Sequence, residues 1–440
     1  MTQAPAPAPD VRPSLVPERP VRSLAGFLKA TELDTRMLGL VGALLLIWIV
    51  FHLLSGGLFL TPRNLWNLSV QSSSVAIMAT GMVLVIVTRN IDLSIGSMLG
   101  FLGMVMGVTQ ADLLPKLLGF DSPATWVLTL AAGLMLGVVL GALQGYVIAY
   151  LGIPSFIVTL GGLLVWRGAA WWVTSGQTVA PLDSTFRLMG GGPEGSIGAA
   201  WSWAVGVAAC AAVMLLLAHG RARRRQFHFP LRPMATEIFL GGIACALVLA
   251  AVAVVNAYPW PIGSVRRYAE ANHIALPAGG LFIAHGIAIP VLIAIGVGVV
   301  MTFLATRTRF GRYVYAIGGN PEAAELAGVN TRWVIMKIFM LMGLLAAIAG
   351  AISIARLNAA TNAEGTLAEL LVIAAAVIGG TSLSGGVGTV AGAMLGAVLM
   401  QSLQSGMVLL GVDTPLQSIV VGAVLVVAVG FDTVYRRRAG

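Results

Sequence analysis

Apolar runs long enough to cross a lipid bilayer recur along almost the whole chain, and no other feature of the sequence restricts the fold as strongly. Inside a bilayer, only helices and closed barrels satisfy all of their own backbone hydrogen bonds. The runs are continuously apolar and rich in glycine and alanine, whereas barrel strands would alternate polar and apolar residues. Charged residues make up only 10% of the chain, and glycine is abundant enough for close helix packing in lipid. The sequence therefore predicts an all-α fold, a polytopic transmembrane helical bundle.

Hydropathy divides the chain into a short tail and a membrane domain. Residues 1–36 are rich in proline and alanine with mixed charge, which predicts a disordered cytoplasmic tail and no signal peptide. Residues 37–438 form the membrane domain, in which we predict twelve crossings; the tenth is short enough to be a broken or re-entrant helix. The crossings lie at about 37–54, 68–88, 93–110, 124–150, 155–174, 201–219, 236–256, 284–305, 334–354, 370–380, 388–409 and 417–432.

The distribution of arginine and lysine predicts the orientation. With the N-terminus inside and alternating crossings, both termini are cytoplasmic and the basic residues concentrate on the cytoplasmic side, as the positive-inside rule requires. The net charge of +9 then comes from basic residues at the membrane borders and not from one face of a soluble domain, so we expect no nucleic-acid partner. The outer loops carry Arg63, Lys116, Arg187, Arg266, Arg267 and Arg356. The inner side carries Arg12, Arg19, Arg22, Lys29, Arg36, Arg221, Arg223, Arg224, Arg225, Arg232, Arg307, Arg309, Arg312, Arg332, Arg436, Arg437 and Arg438.

The segment 307–332 is a polar island that contains the signals of a complete short helix. Asn320 suits the N-cap of this helix, Pro321 suits the first helical position, and Gly328 suits a left-handed stop. A helix of about two turns is not stable alone in water, so we interpret it as a docking element for a partner's groove. An ordinary capped loop helix is the competing interpretation. The predicted helix comprises Asn320, Pro321, Glu322, Ala323, Ala324, Glu325, Leu326, Ala327 and Gly328.

Two further segments combine hydroxyl groups with glycines between apolar runs. In the first, Asp92 lies between two runs, and a carboxylate at membrane depth usually faces protein or a water-filled cavity. The second, residues 379–397, repeats part of that pattern, and paired glycine-interrupted segments are typical of a transporter's centre. Two alternatives remain open: a role of Asp92 as the cap of the next helix, and a role of the glycines and serines in helix packing alone. The candidate translocation-pathway residues are Asp92, Ser94, Ser97, Thr381, Ser382 and Ser384.

Missing motifs exclude several activities. A P-loop requires a lysine directly after a glycine, and none of the three lysines (Lys29, Lys116 and Lys337) follows one. Neither a zinc-protease helix nor a nucleophile elbow is present, and the two cysteines and five histidines have no ligand spacing. We therefore expect no enzyme activity, cofactor or metal in this chain. Another subunit or an ion gradient must supply the energy for any transport.

Three stretches resemble the membrane-spanning permease subunits of bacterial ABC importers for ribose, xylose and arabinose. They are GMVLVIVTRNIDLSIGSMLG (81–100), RTRFGRYVYAIGGNPEAAELAGVN (307–330) and VIGGTSLSGGVGTVAGAMLGA (377–397), and PSFIVTLGGLLVWRG (154–168) also fits. The resemblance runs from about residue 38 to 438. It implies a multi-pass permease of the bacterial inner membrane that works as a homodimer with cytoplasmic ATPase subunits and a periplasmic sugar-binding protein. It also implies that the helix 320–328 is the coupling helix gripped by the ATPase.

The resemblance further implies a neutral monosaccharide as substrate. Ribose-type permeases have ten spans and are shorter, so this chain is expected to have about ten core spans plus two extra ones in an insertion at 190–282. The xylose-type branch resembles this longer plan, which makes xylose the first expectation. Two alternatives stay open: an ion-coupled secondary transporter, for which Asp92 is the only embedded acid we identify, and an ABC permease for branched-chain amino acids.

Overall fold

The computed structural model describes residues 35–119, 121–277 and 280–439, with side chains described except at 35, 36, 428, 429 and 431–439. The predicted tail 1–36 lies outside the described residues apart from the helical backbone at its last two positions. The helices are α1 (Thr35–Leu54), α2 (Pro62–Val87), α3 (Ile95–Val108), α4 (Leu114–Leu118), α5 (Thr125–Ala149), α6 (Ser155–Thr174), α7 (Ser184–Arg187), α8 (Gly198–Gln226), α9 (Met234–Asn256), α10 (Ile262–Ala271), α11 (Ile289–Arg307), α12 (Arg309–Gly319), α13 (Pro321–Leu326), α14 (Thr331–Leu357), α15 (Ala368–Ile378), α16 (Val390–Leu409) and α17 (Thr414–Ala439).

The helices confirm the predicted polytopic bundle. Ten helical segments in the described part of the chain are long and apolar enough to cross a membrane, and two shorter apolar helices, α15 and residues 414–427 of α17, complete the twelve predicted positions. A π-helical turn, Thr109–Leu113, joins α3 to α4 and extends that crossing to Leu118.

The start of α2 differs from the prediction. It begins at Pro62 instead of near residue 68, because the Thr61 hydroxyl caps the amide of Asn64 and Pro62 occupies the first turn. Arg63 and Asn64 are polar, so hydropathy alone did not reveal these turns as helix.

The chain divides into two compact units. The smaller one, in its described part, is residues 203–251, which contain most of α8 and α9 and the loop between them. Arg221 joins the two helices: its Nη1 donates to Glu237 Oε2 at 3.0 Å and to the Arg232 carbonyl at 2.9 Å. These helices are the two extra spans predicted within 190–282, while their status as an insertion stays a prediction.

The larger unit, residues 35–202 and 252–439, is built around α2 and α14, whose side chains are buried over most of their length. α5 packs on α14 through a stripe of glycines at four-residue spacing, Gly137, Gly141 and Gly145. A Cβ atom at Gly141 would overlap the carbonyl oxygen of Phe339 on α14, so the two backbones touch. Small residues at this spacing let membrane helices approach closely, and the predicted packing role of glycine is confirmed here.

A non-helical stretch between α14 and α15, residues 358–367, enters the bundle beside α3; we call it the re-entrant segment. A Cβ on Gly107 of α3 would lie 2.5 Å from Ala360, and one on Gly100 would lie 2.5 Å from the Glu364 carbonyl oxygen. Arg167 of α6 donates from Nη1 to the carbonyls of Asn362 and Glu364, both at 3.0 Å. Exposed non-helical backbone is not tolerated in lipid, and the close contacts with α3 and the two carbonyls paired by Arg167 place this segment against protein. The helix at the tenth predicted crossing, α15, is only 11 residues long, as expected; whether it is broken or re-entrant in the membrane stays a prediction.

Gly141→Leu should destabilise the permease, because the α5 and α14 backbones would have to separate. Overpacking of this kind costs about 1–3 kcal/mol. Gly161→Leu on α6 is the matched control, since a Cβ there meets no atom within 4 Å. Thermal unfolding in detergent and the monodisperse fraction on size exclusion measure the effect. Equal stability of the two variants would contradict the close contact.

Candidate functional site

The polar segment 307–332 contains two helices instead of the single predicted one. α12 starts after Thr308, whose hydroxyl accepts the Gly311 amide at 3.2 Å. It turns Val314 and Ile317 into the protein and leaves its basic residues outside. α13 follows directly after Asn320, so the predicted docking helix sits on the end of a second, amphipathic helix.

The structure shows the predicted local geometry of α13. Asn320 Oδ1 accepts the Ala323 amide at 3.0 Å, and Pro321 occupies the first helical position. Gly328 has a φ of +83°, and its amide donates to the Glu325 carbonyl at 2.9 Å. The caps close a helix of only six residues without help from a neighbouring chain.

One face of α13 is unusually exposed. Ala324 is buried and fixes the helix to the protein, whereas Leu326 is 91% exposed, more than any other large apolar side chain in the described residues. Glu322 and Glu325 flank it on the exposed surface. An apolar side chain between carboxylates on a protruding helix has the character of a partner-binding anchor. The sequence placed Leu326 in the docking helix but did not predict its exposure, because helical propensity says nothing about which side of a helix faces the protein.

Arg89 connects this segment to both glycine-interrupted loops. Its Nε donates to the Gly318 carbonyl at 3.0 Å and its Nη2 to the Gly319 carbonyl at 2.8 Å. These are the last residues of α12, where a cation satisfies free carbonyls and complements the helix dipole. The Gly386 amide donates to the Val87 carbonyl at 3.0 Å. We call this meeting point of α2, α12 and the late glycine loop the Arg89 junction.

Tyr315 provides a second link between α12 and the late glycine loop. Its hydroxyl donates to the Gly388 carbonyl at 2.7 Å, and burial raises the pKa of Tyr315, which keeps it in the donating form. The two sequence-matched loops therefore lie at the same end of the bundle, next to α12 and α13.

Asp92 braces the start of α3. Its Oδ1 accepts both the amide of Ser94, at 2.8 Å, and the Ser94 hydroxyl, at 2.7 Å. Gln144 of α5 donates to the same hydroxyl at 2.9 Å. Ser94 is the residue before α3, so the predicted capping by Asp92 acts through Ser94 and not on the helix directly. Burial raises the pKa of Asp92, and the two hydrogen bonds from Ser94 oppose that rise.

Five of the six candidate pathway residues are buried in this conformation. Asp92, Ser94, Ser97, Thr381 and Ser382 are buried, whereas Ser384 is exposed and its hydroxyl lies 2.7 Å from that of Ser382. The hydroxyls of Ser97 and Thr381 have no hydrogen-bond partner among the described residues. The pathway role of these residues stays a prediction.

A polar cavity that sequence reasoning missed lies at the other end of the bundle. It has a volume of about 410 Å³, within the range of small-molecule sites. Its walls are the N-terminal two thirds of α2, the last turns of α14 and α16, the re-entrant segment, the first turns of α15 and Leu99 of α3. We call it the amide cavity for its side chains Asn64, Asn67, Gln71, Gln401 and Gln404. The sequence contained a signal for this cavity: the amides recur at spacings of three and four residues, which places them on one face of each helix.

A further buried carboxylate, on α15, was also missed. Glu369, on the first turn of α15, is only 6% exposed, and its Oε2 has no hydrogen-bond partner among the described residues. Glu369 is therefore a further candidate beside Asp92, the one acid identified from the sequence, and whether either lies within the membrane stays a prediction. Glu369 escaped notice because it sits at the edge of the short tenth crossing, where its depth depends on the re-entrant segment.

Comparison with known proteins places the chain in a transport family. The family described as the permease component of branched-chain amino acid transport systems matches residues 64–222 and 194–429. No solved structure matches the chain.

Two kinds of curated relative cover almost all of the chain. A xylose transport system permease protein of Escherichia coli is 36% identical over 95% of this chain and 97% of its own length. The corresponding protein of Haemophilus influenzae is 36% identical over 90% and 96%. A ribose import permease protein of Escherichia coli is 31% identical over 92% and 95%. The resemblance drawn from the motifs is confirmed: the chain belongs to this family of membrane-spanning transport permeases.

Proposed function

We propose that this protein is the permease subunit of an ATP-driven importer for a neutral monosaccharide, with D-xylose as the first candidate. The observation that carries the proposal is the 36% identity to xylose permeases over at least 90% of the chain, against 31% to a ribose permease. The protein's own chemistry fits, since amide side chains can hydrogen-bond sugar hydroxyls without a fixed charge.

The permease is a multi-pass protein of the bacterial inner membrane. We place α12, α13 and the Arg89 junction on the cytoplasmic side, together with both termini. Supporting this, Arg307, Arg309 and Arg312 lie at this end of the bundle, and basic residues favour the cytoplasmic side. The amide cavity then opens toward the periplasm.

The proposed assembly is a homodimer of permeases with ATPase subunits and a periplasmic sugar-binding protein. The α13 helix would enter a groove of the ATPase, with Leu326 as its apolar anchor. Arg89 and Tyr315 would then transmit the movement of α12 to the loops after α2 and α15. ATP hydrolysis would occur in the separate ATPase subunits.

Two other functions compete with this one. An ion-coupled secondary transporter would use embedded acids, and Asp92 and Glu369 are both buried. A permease for branched-chain amino acids would agree with the description of the matching family. The similarity to sugar permeases over the whole chain favours the sugar importer over both.

Uptake by reconstituted vesicles tests the function. With the ATPase and the binding protein present, ATP should drive accumulation of labelled D-xylose, and a proton ionophore should not prevent it at constant ATP. Asp92→Asn should retain most of this uptake, because the amide keeps the oxygen that accepts both Ser94 hydrogen bonds. Asp92→Ala removes that acceptor and should destabilise the permease by about 1–3 kcal/mol.

The competing functions give different results in the same vesicles. Collapse of uptake with the proton gradient would favour a secondary transporter. Accumulation of leucine without xylose would favour the amino-acid permease.

The docking role of α13 predicts that Leu326→Asp uncouples the importer. A charge in an apolar groove is costly, so sugar-stimulated ATP hydrolysis should fall at least about tenfold, equivalent to about 1.4 kcal/mol. Leu326→Met keeps an apolar anchor and is the matched control. The side chain contacts little of its own chain, so the melting temperature should not change. Normal coupling of Leu326→Asp would contradict the docking role.

Arg89→Ala should loosen the link between α12 and the transport loops. Two charge-assisted hydrogen bonds disappear, and the α12 carbonyls lose their partner. We expect fewer sugar molecules transported per ATP hydrolysed, with docking of the ATPase preserved. Arg89→Lys should partly restore the number of sugar molecules transported per ATP, because a single ammonium group cannot reproduce both hydrogen bonds to the Gly318 and Gly319 carbonyls. An unchanged ratio in Arg89→Ala would show that the junction does not transmit movement.

A further inference from the structure

Some amide side chains of the cavity are hydrogen-bonded to other side chains of its wall, and others have no hydrogen-bond partner among the described residues. Gln401 donates to Gln71 at 3.1 Å, and the Ser405 hydroxyl donates to Asn64 at 3.2 Å. These two pairs tie α16 to α2 and hold the wall in place. Asn67 and Gln404, in contrast, line the cavity and make no hydrogen bond to any described residue. Each therefore keeps two donors and an acceptor for a molecule inside the cavity.

The charges of the cavity suit a neutral ligand. Among the described residues, its lining contains one carboxylate, Glu364, and one guanidinium, Arg356. Ser353 donates a hydrogen bond to the Glu364 carboxylate, which is thereby fixed against the wall. No cluster of three potential metal ligands occurs in the described part of the chain. The charged groups described in the lining are balanced, and the cavity offers a polyhydroxylated molecule amides, hydroxyls and both signs of charge.

The depth of the cavity makes a purely lipid-facing role unfavourable. Gln71 lies nine residues into α2, about 13 Å along the helix axis from Pro62. Amides at such depth are costly unless protein or water satisfies them. The lining, as far as the structure describes the chain, contains no aromatic side chain that could stack on a sugar ring. Binding by hydrogen bonds alone is weak, and weak binding suits a substrate that must leave the site during transport.

We propose that the amide cavity is a monosaccharide site of the permease, in which Asn67 and Gln404 hydrogen-bond the sugar hydroxyls. The site rests on the proposed function and deepens it, since it identifies a place within the permease where the sugar is held after it leaves the binding protein. Neither residue belongs to the segments from which the sequence predicted a pathway.

The first test uses the complete transporter in vesicles. Asn67→Leu and Gln404→Leu should each lower D-xylose uptake per ATP hydrolysed by about fivefold, the factor expected for one lost hydrogen bond. Gln226→Leu, which changes an exposed amide outside the cavity, is the matched control and should transport normally.

The second test detects the sugar directly and does not depend on transport. In a Cys210→Ser, Cys245→Ser background, the Asn67→Cys variant should react with a small water-soluble thiol reagent. D-xylose at high concentration should slow this reaction, and osmotically matched betaine should not. A Gln226→Cys variant should react equally with and without sugar.

The outcomes separate this inference from the proposed function. A wild-type transporter that moves no monosaccharide would contradict the function itself. A wild-type transporter that works while both leucine variants transport normally and D-xylose gives no protection would overturn the sugar site alone. The cavity would then hold water only.

Discussion

Direct contact between helix backbones at glycines sets the geometry of the membrane domain. Apolar surfaces gain little from meeting in lipid, so helix association depends on close packing and on hydrogen bonds. Gly137 and Gly141 of α5 bring it against α14 with no room for a Cβ atom between the backbones. One turn further along α5, Gln144 thereby reaches Ser94 at the start of α3. The position of the Asp92 loop therefore depends on a glycine contact made by another pair of helices.

Close packing at glycines also explains how the bundle holds a non-helical segment in its interior. Glycines of α3 leave space for the re-entrant segment, and Arg167 satisfies two of its carbonyls. The segment shortens α15 and forms part of the wall of the amide cavity. A polar cavity can exist there because protein, not lipid, surrounds the unpaired polar groups.

In the proposed importer, the energy source and the sugar act at opposite ends of this bundle. The helix α13 adjoins α12, whose end is held by Arg89 and whose middle is held by Tyr315. Val314 and Ile317 of α12 are part of the apolar core, so α12 is packed against the bundle as well as hydrogen-bonded to its loops. If α13 binds the ATPase as proposed, α12 is the element through which its movement would reach both loops, and the ratio of sugar transported to ATP hydrolysed measures that coupling.

The sequence by itself determined the class of the fold, because only continuous apolar helices satisfy backbone groups in lipid. It also determined the local form of α13, since Asn320, Pro321 and Gly328 act through contacts within a few residues. The depth of Glu369, the exposure of Leu326, the Arg89 junction and the amide cavity were decided by the tertiary structure alone. Arg89 meets Gly318 across 229 residues, and Gln401 meets Gln71 across 330. Neither hydropathy nor helix signals carry information about such distant pairs, because these contacts arise only when glycine packing brings separate helices together.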